Sequence, residues 1–213
     1  MTLDRHLEAE PSSLHEQRLA TVLQVLLDSG ATSVVDLGCG TGALLNLLLR
    51  EEQFVRVIGV EASSAALSIA ERELFVGGRA EKGRLSLIHG SFADEDARLT
   101  GFDAAAMLET IEHVDPGRLS NVERAVFALY RPRTVVMTTP NVEYNVLYGM
   151  PDGALREPDH RFEWSRAKFR TWVTGVAKRN GYTVVLAGIG EEHPMFGCPT
   201  QMAIFSRAAD RSI

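Results

Sequence analysis

Hydrophobic and polar residues repeat with two different periods along this chain, and segments with one period alternate with segments that have the other. Short apolar runs typical of buried strands occur at 33–37, 56–62, 84–90, 102–108 and 133–140. The stretches between them place apolar residues three and four positions apart, the spacing of a helix with one buried face. Strands that alternate with helices predict a parallel sheet covered by helices on both faces. The predicted helices between these strands are 43–50, 63–75 and 118–130.

The two ends of the chain complete this pattern. A helix capped by Ser12 or Ser13 precedes the first strand, and a helix capped by Ser165 follows the fifth. Two last strands, 182–190 and 200–207, have no helix between them and should form a hairpin. This order resembles the class I methyltransferase fold, which implies an α/β architecture with a seven-stranded, mostly parallel sheet and a C-terminal β-hairpin.

The composition is that of an ordinary globular protein. The 213 residues suit one domain, with 45% hydrophobic and 23% charged residues. No apolar run approaches the roughly 20 residues that span a bilayer, and the polar N-terminus lacks the features of a signal peptide. Cys39 and Cys198 lie far apart, without the C-x-x-C spacing of a zinc site. We expect a single cytoplasmic domain over 1–213, with a flexible segment at 1–12.

The glycine-rich turn after the first strand, DLGCGTG, predicts a cofactor site. Glycines let the chain turn sharply and let backbone N–H groups approach a ligand closely. Asp36 places a carboxylate where an ammonium group could bind, and Glu61 could accept hydrogen bonds from both ribose hydroxyls. The alternative is a tight turn beside an exposed glutamate. The turn, the acid and the alternating strands together favour the cofactor site, whose glycines are Gly38, Gly40 and Gly42.

A second polar cluster, ETIEHVD, follows the fourth strand and predicts a metal site. Glu109, Glu112 and His113 would share one face of a helical turn, and a loop could bring them together equally well. Three ligands are one short of a well-populated site, and His160 in LREPDHRFEWS can supply the fourth. Two carboxylates and two imidazoles could hold a divalent cation. The alternative is a solvated loop or helix start.

Three segments carry a resemblance to one family. ETIEHVD, TTPNVEYN and DHRFEWSRAKFRTW together resemble the 3′-terminal small-RNA ribose 2′-O-methyltransferases, which include the plant enzyme that protects microRNAs and bacterial homologues acting in RNA repair. The resemblance covers the chain from about Leu14 onward. It implies S-adenosylmethionine as methyl donor, with Ser91 and Phe92 near its adenine. A surface turn with one core aromatic is the alternative for these two residues.

The same resemblance implies what the metal site does. Glu109, Glu112, His113 and His160 match the family's metal ligands, and the metal engages the 2′- and 3′-hydroxyls of the terminal ribose. We rank Mn²⁺ above Mg²⁺ because Mn²⁺ accommodates both carboxylates and imidazoles. Glu112 and His113 are the expected catalytic residues, and the sequence does not separate a ligand from a general base.

Further residues are expected at the RNA end. The resemblance assigns Thr139, Pro140 and Asn141 to the substrate pocket, although a polar turn after a proline-ended strand would look the same. Arg161 could contact a phosphate, and Trp164 could stack on the terminal base. The chain carries a net charge of −6, yet residues 156–179 hold seven basic and three acidic residues, which could guide an anion or form a solvated face.

Two other functions remain open at this point. One is a metal-dependent O-methyltransferase of small diols such as catechols, and the other is a non-catalytic cofactor-binding scaffold in RNA repair. Bacterial relatives are usually longer and use an N-terminal region to engage a polynucleotide kinase–phosphatase–ligase partner. We therefore expect either an excised domain or a compact member. The acidic balance predicts few phosphate contacts, hence recognition of an RNA end.

Overall fold

The computed structural model describes residues 13–76 and 83–207, and within these ranges seven strands form one sheet. The strands are β1 (Ser33–Leu37), β2 (Arg56–Glu61), β3 (Leu85–His89), β4 (Ala104–Leu108), β5 (Thr134–Pro140), β6 (Thr183–Ile189) and β7 (Thr200–Ser206). The helices are α1 (Leu14–Asp28), α2 (Ala43–Leu48), α3 (Ser64–Glu71), α4 (Leu119–Val122) and α5 (Arg166–Asn180), with wider π-helical turns continuing α3 at Arg72–Val76 and α4 at Glu123–Tyr130.

The strand order β3-β2-β1-β4-β5-β7-β6 confirms the predicted fold class. The first five strands pair in parallel, β7 runs antiparallel to β5, and β6 pairs antiparallel with β7 as the predicted hairpin. Successive strands run outward from β1 to β3 and then restart on the other side at β4. Ligands of such sheets bind in the crevice beyond the carboxyl ends of the strands, where this order reverses.

Serine caps fix where two helices begin. Ser13 accepts a hydrogen bond from the Glu16 backbone N–H, and Glu16 accepts one from the Ser13 N–H in return. Ser165 caps α5 through the Lys168 N–H, and Gly181, at φ 75°, ends that helix. The flexibility predicted for residues 1–12, and with it the alternative cap Ser12, lies outside the described residues.

Two hydrophobic cores lie on opposite faces of the sheet. One joins α1, α2 and α3 to the sheet through side chains such as Leu26, Leu45 and Phe54. The other joins α5 and the π-helical turn after α4 to the sheet, with Phe127 and Phe205 at its centre. Among the described residues, no helix combines the length and apolar character needed to cross a bilayer.

One carboxylate ties β1 to β4 at the amino end of the sheet. Asp103 Oδ2 accepts hydrogen bonds from the backbone N–H and hydroxyl groups of both Thr32 and Ser33, at 2.9–3.0 Å. Its other oxygen pairs with Arg133. Burial opposes ionisation of Asp103, but the hydrogen bonds outweigh it and lower the pKa of this carboxyl to about 2.

Replacing Asp103 by Ala should destabilise the fold. A pKa held below its ordinary value of 3.8 contributes stability that is complete above pH 4–5 and is lost as the pH falls through about 2. The shift corresponds to about 2 kcal/mol at pH 7. Urea unfolding should show this loss for Asp103→Ala and no loss for the exposed control Glu52→Ala. A wild-type-to-variant difference that does not shrink between pH 5 and pH 2.5 would contradict the assignment.

Candidate active site

The loop between β1 and α2 needs its glycines. Gly38, Gly40 and Gly42 all have positive φ, between 53° and 88°. A Cβ at Gly38 would lie 2.4 Å from the Thr110 side chain, and one at Gly42 would lie 2.9 Å from that of Leu74. The loop therefore approaches both the segment after β4 and the helical segment after β2 more closely than other residues permit.

A cavity of about 750 Å³ opens beside this loop. Five of the predicted cofactor residues line it: Gly38, Gly40, Glu61, Ser91 and Phe92. Gly42 does not line it and instead permits close packing on Leu74. The cavity continues past Thr110 to His113 and Arg161, so two of the predicted metal residues, Glu109 and His113, line the same space as the predicted cofactor residues.

Glu61 connects the end of β2 to the glycine loop. One of its oxygens accepts a 2.8 Å hydrogen bond from the Gly40 N–H, and the other accepts one of the same length from the Ser63 N–H. The carboxylate is thereby fixed at the cavity wall. Contact with ribose hydroxyls stays a prediction.

Asp36 lies in a second cavity, of about 280 Å³, on the other side of the loop. Burial, and secondarily the negative charge of Glu61, raises the pKa of Asp36 to about 7. Arg18 of α1 and Glu109 line the same cavity. A cationic ligand here would favour ionised Asp36, as the predicted ammonium site requires.

The ETIEHVD segment forms neither a continuous helix nor an irregular loop. Glu109 adopts φ 52°, in the left-handed region that non-glycine residues rarely occupy, and its N–H donates to the Thr138 carbonyl and hydroxyl at 3.2 and 3.0 Å. A short 3-10 turn at Ile111–His113 follows. Thr110 and Glu112, the next two polar residues, are buried, and Glu112 accepts a hydrogen bond from Thr139 of β5.

Ligand atoms of Glu112, His113 and His160 lie within 4.8 Å of one another, as the sequence predicted for three of its four candidates. Glu112 and His160 are buried, whereas the His113 side chain is 39% exposed. The two imidazole rings meet edge to face with centroids 4.9 Å apart. Glu109 lies beside this group without joining it, because one of its oxygens pairs with Arg18.

The two glutamates leave acceptor atoms unsatisfied. Oε1 of Glu109 and Oε1 of Glu112 are buried and have no hydrogen-bond partner. Burial raises the pKa of Glu109, and Arg18 partly opposes this shift. Burial, followed by the negative charge of Glu109, raises the pKa of Glu112 well above its usual range. Unpaired buried oxygens beside two imidazoles fit a divalent cation, which would satisfy the oxygens and neutralise their charge.

Arg18 is a site residue that the sequence analysis missed. It lies 91 positions before its partner Glu109 and bonds that carboxylate in a largely buried pair, with side chains 17% and 15% exposed. The chain gives no local signal for such a contact, because it depends on α1 packing against β4 and β5.

The substrate residues predicted from the sequence divide into two groups. Arg161 is exposed and lines the large cavity, as expected of a residue that meets a ligand. Trp164 was expected to stack on a base, but it is 3% exposed and packs against Phe162, Phe169 and Trp172. Its rings belong to the aromatic core, so that prediction is wrong.

Thr139 and Asn141 are fully buried and Pro140 is buried as well, and their assignment to the substrate pocket stays a prediction. The Thr139 hydroxyl donates to Glu112 Oε2 at 3.0 Å. The Asn141 amide donates to the carbonyls of Phe196 and Cys198 in the connection between β6 and β7. These residues therefore support the site from behind.

Comparison with known proteins agrees with this geometry. The methyltransferase domain family matches residues 4–186, and the strand order and glycine-loop cavity are those of a class I S-adenosylmethionine-dependent methyltransferase. More particularly, the chain belongs to the small RNA 2′-O-methyltransferase family and corresponds to its methyltransferase domain.

Three relatives illustrate this membership. The small RNA 2′-O-methyltransferase of Rattus norvegicus is 36% identical over 205 residues, covering 91% of this chain and 51% of the relative. That of Arabidopsis thaliana is 32% identical, covering 92% and 23%. The crystal structure of the methyltransferase domain of bacterial CtHen1-C is 44% identical, with a TM-score of 0.83 and coverage of 92% and 100%. The chain spans about half the length of the animal relatives it matches.

Removing Arg18 should cost stability through the charge it leaves behind. Arg18→Met keeps the apolar stem but leaves Glu109 buried and unpaired, and breaking such a pair costs on the order of 3 kcal/mol. The double variant Arg18→Met/Glu109→Gln should recover part of this loss, because a neutral amide needs no counter-ion. Urea unfolding at pH 8 measures both. Equal destabilisation of the single and double variants would show that the ion pair is not the cause.

Proposed function

We propose that this domain transfers a methyl group from S-adenosylmethionine to the 2′-hydroxyl of the 3′-terminal nucleotide of RNA. The observation that carries the proposal is the convergence of Glu112, His113 and His160 next to the glycine-loop cavity, whose wall includes His113 and Glu109. Methyltransferases that need only their cofactor have no use for such a cluster. The relatives are small RNA 2′-O-methyltransferases, and this activity supplies the substrate class for the proposal.

The cofactor would occupy both cavities beside the glycine loop. Asp36 would accept hydrogen bonds from the cofactor's ammonium group, and Glu61 from the ribose hydroxyls. Ser91 and Phe92 would enclose the adenine at the far wall of the large cavity. This placement would direct the sulfonium methyl toward Glu109, which lines both cavities, and toward His113, which lines the larger one.

Glu112, His113 and His160 would hold one divalent metal, with Glu109 completing the set. Bound there, the metal would lower the pKa of a ribose hydroxyl and orient it. Mn²⁺ ranks above Mg²⁺ because the cluster mixes carboxylate and imidazole ligands.

The protein's own groups prepare the site for this reaction. The Thr139 hydroxyl donates a hydrogen bond to Glu112 and so fixes its carboxylate. Because Glu112 is buried, water is kept away from the two carboxylate oxygens. His113 is 39% exposed and lines the cavity, so it is the ligand of the cluster that lies next to both the ribose site and solvent, and the hydroxyl proton would leave to solvent on that side. Transfer then needs only in-line alignment of the hydroxyl with the sulfonium methyl carbon.

Arg161 supports recognition of an RNA end. Its backbone N–H donates to the Glu112 carbonyl, which places its exposed side chain at the rim of the cavity beside the cluster. A guanidinium there could bind the last phosphodiester. Assembly with a polynucleotide kinase–phosphatase–ligase partner and a cytoplasmic location stay predictions from the sequence.

Cofactor binding should depend on pH through Asp36. Its raised pKa of about 7 means that the carboxylate is mostly protonated at pH 6 and mostly ionised at pH 7.5. The cofactor's amino group stays largely protonated over this range. Calorimetry should therefore find S-adenosylmethionine bound about fivefold more tightly at pH 7.5 than at pH 6. Asp36→Asn should bind more weakly and lose this slope. A slope retained in Asp36→Asn would assign the titration to another group.

The activity is tested with S-adenosylmethionine carrying a labelled methyl group and two short RNAs, one with a free terminal 2′,3′-diol and one ending in a 2′-deoxy nucleotide. Label should enter only the first RNA, and only with Mn²⁺ and without chelator. His113→Gln should reduce the rate at least about 100-fold, whereas the matched control His193→Gln, outside the cluster, should not.

Four outcomes would count against the proposal. Labelling of the 2′-deoxy RNA would move the acceptor away from the terminal 2′-hydroxyl. Labelling that survives the chelator would remove the metal from the reaction. Labelling of catechol in place of RNA would indicate a small-diol enzyme, and cofactor binding without any transfer would indicate a scaffold.

A further inference from the structure

His160 is held by a carboxylate on the side that faces away from the cluster. Its Nδ1 lies 2.7 Å from Glu163 Oε1, and the Glu163 side chain is fully buried. A carboxylate at this distance can only accept, so Nδ1 must be the ring nitrogen that carries the proton. The remaining ring nitrogen, Nε2, is then an unprotonated acceptor and the one atom through which His160 can serve as a ligand.

Glu163 is itself held by donors from two other segments. Its Oε1 also accepts a 2.6 Å hydrogen bond from the Arg156 N–H, and its Oε2 accepts a 2.8 Å hydrogen bond from the Asn145 amide. The network closes because Arg156 Nε donates to Asn145 Oδ1 at 2.6 Å and Nη2 donates to the Asn141 carbonyl at 2.7 Å. Neither carboxylate oxygen of Glu163 is free to turn away from this arrangement.

We propose that Glu163 is a positioning residue that fixes the tautomer and orientation of His160 and thereby completes the cluster. The proposal deepens the proposed function, on whose metal site it rests. The two histidines differ in this respect. His113 Nδ1 has a weaker counterpart in Asp159, at 3.2 Å and with a side chain 72% exposed, so solvent competes for that contact.

An isosteric amide cannot replace Glu163 without losing a bond. In Glu163→Gln the amide nitrogen would face either the donors at Oε1, which are His160 Nδ1 and the Arg156 N–H, or the donor at Oε2, the Asn145 amide. Either placement sets two donors against each other. The variant should therefore release His160 or loosen the segment that holds Glu163, while the volume of the side chain is unchanged.

The first measurement is the tautomer of His160 in the metal-free wild-type protein, read from ¹⁵N–¹H correlations of the imidazole side chains at pH 8. His160→Gln assigns the resonances. Protonation at Nδ1, with slow exchange of that proton, is the expected result, and faster exchange is expected in Glu163→Gln. Protonation of His160 at Nε2 in the wild type would overturn the proposal. This measurement needs neither activity nor metal.

The second measurement is Mn²⁺ affinity, followed through the electron paramagnetic resonance signal of the free ion. Glu163→Gln should weaken binding about 10- to 100-fold, and Glu163→Asp, which keeps the acceptor, should recover part of it. The matched control Glu123→Gln replaces a glutamate that pairs with Arg179 outside the cluster, and should bind as the wild type does. S-adenosylmethionine affinity should be unchanged in all variants, which shows that the cofactor cavity is intact.

The two measurements test the proposed function and the role of Glu163 separately. A wild type that binds no Mn²⁺ would refute the metal-dependent function, while the tautomer measurement still decides the role of Glu163. A wild type that binds Mn²⁺ and a Glu163→Gln variant that binds it equally tightly would overturn the positioning role and leave the proposed function standing.

Discussion

The site depends on one constraint, which is that two glutamates carry carboxylates into the protein interior at the end of a parallel sheet. Neither Glu109 nor Glu112 is satisfied by hydrogen bonds alone, since each keeps a buried oxygen without a partner. Arg18 and Thr139 offset part of the cost. The remaining deficit makes the cluster receptive to a cation, and Glu109 itself adopts a left-handed conformation at the end of β4.

Two layers of side chains surround the buried carboxylates of Glu109 and Glu112. The inner layer consists of Glu112, His113 and His160, of which His113 lines the cavity. The outer layer faces the protein and includes Arg18 beside Glu109, Thr139 behind Glu112 and Glu163 behind His160. Because the strand β5 supplies Thr139 and pairs with β7, the C-terminal hairpin contributes to the geometry of a site it does not touch.

The fold was predictable from the sequence because its central strands are buried on both faces and the helices α1, α3 and α5 begin at capping serines. The inner layer was predictable too, since Glu112 and His113 follow a strand directly and His160 lies in a distinctive segment. The outer layer was not. Arg18 meets Glu109 only through the packing of α1, and residues 139–141 read as a polar turn although the antiparallel partner β7 buries them. Trp164 could not be told from a surface aromatic, because its neighbours Phe162 and Trp172 become neighbours only in the folded chain.

The cluster and the side chains that support it come from positions 18, 109–113, 139 and 160–163. These positions meet only after β4, β5 and the segment before α5 are in place. An unfolded chain holds the same side chains scattered, with no shared pocket among them. Any ion or ligand selective for the assembled cluster must therefore shift the folding equilibrium by mass action, in proportion to the logarithm of its concentration. The free energy of unfolding, measured at increasing concentrations of an ion or ligand, therefore reports binding to the site. Such a measurement requires no catalytic turnover, no substrate and no knowledge of the reaction.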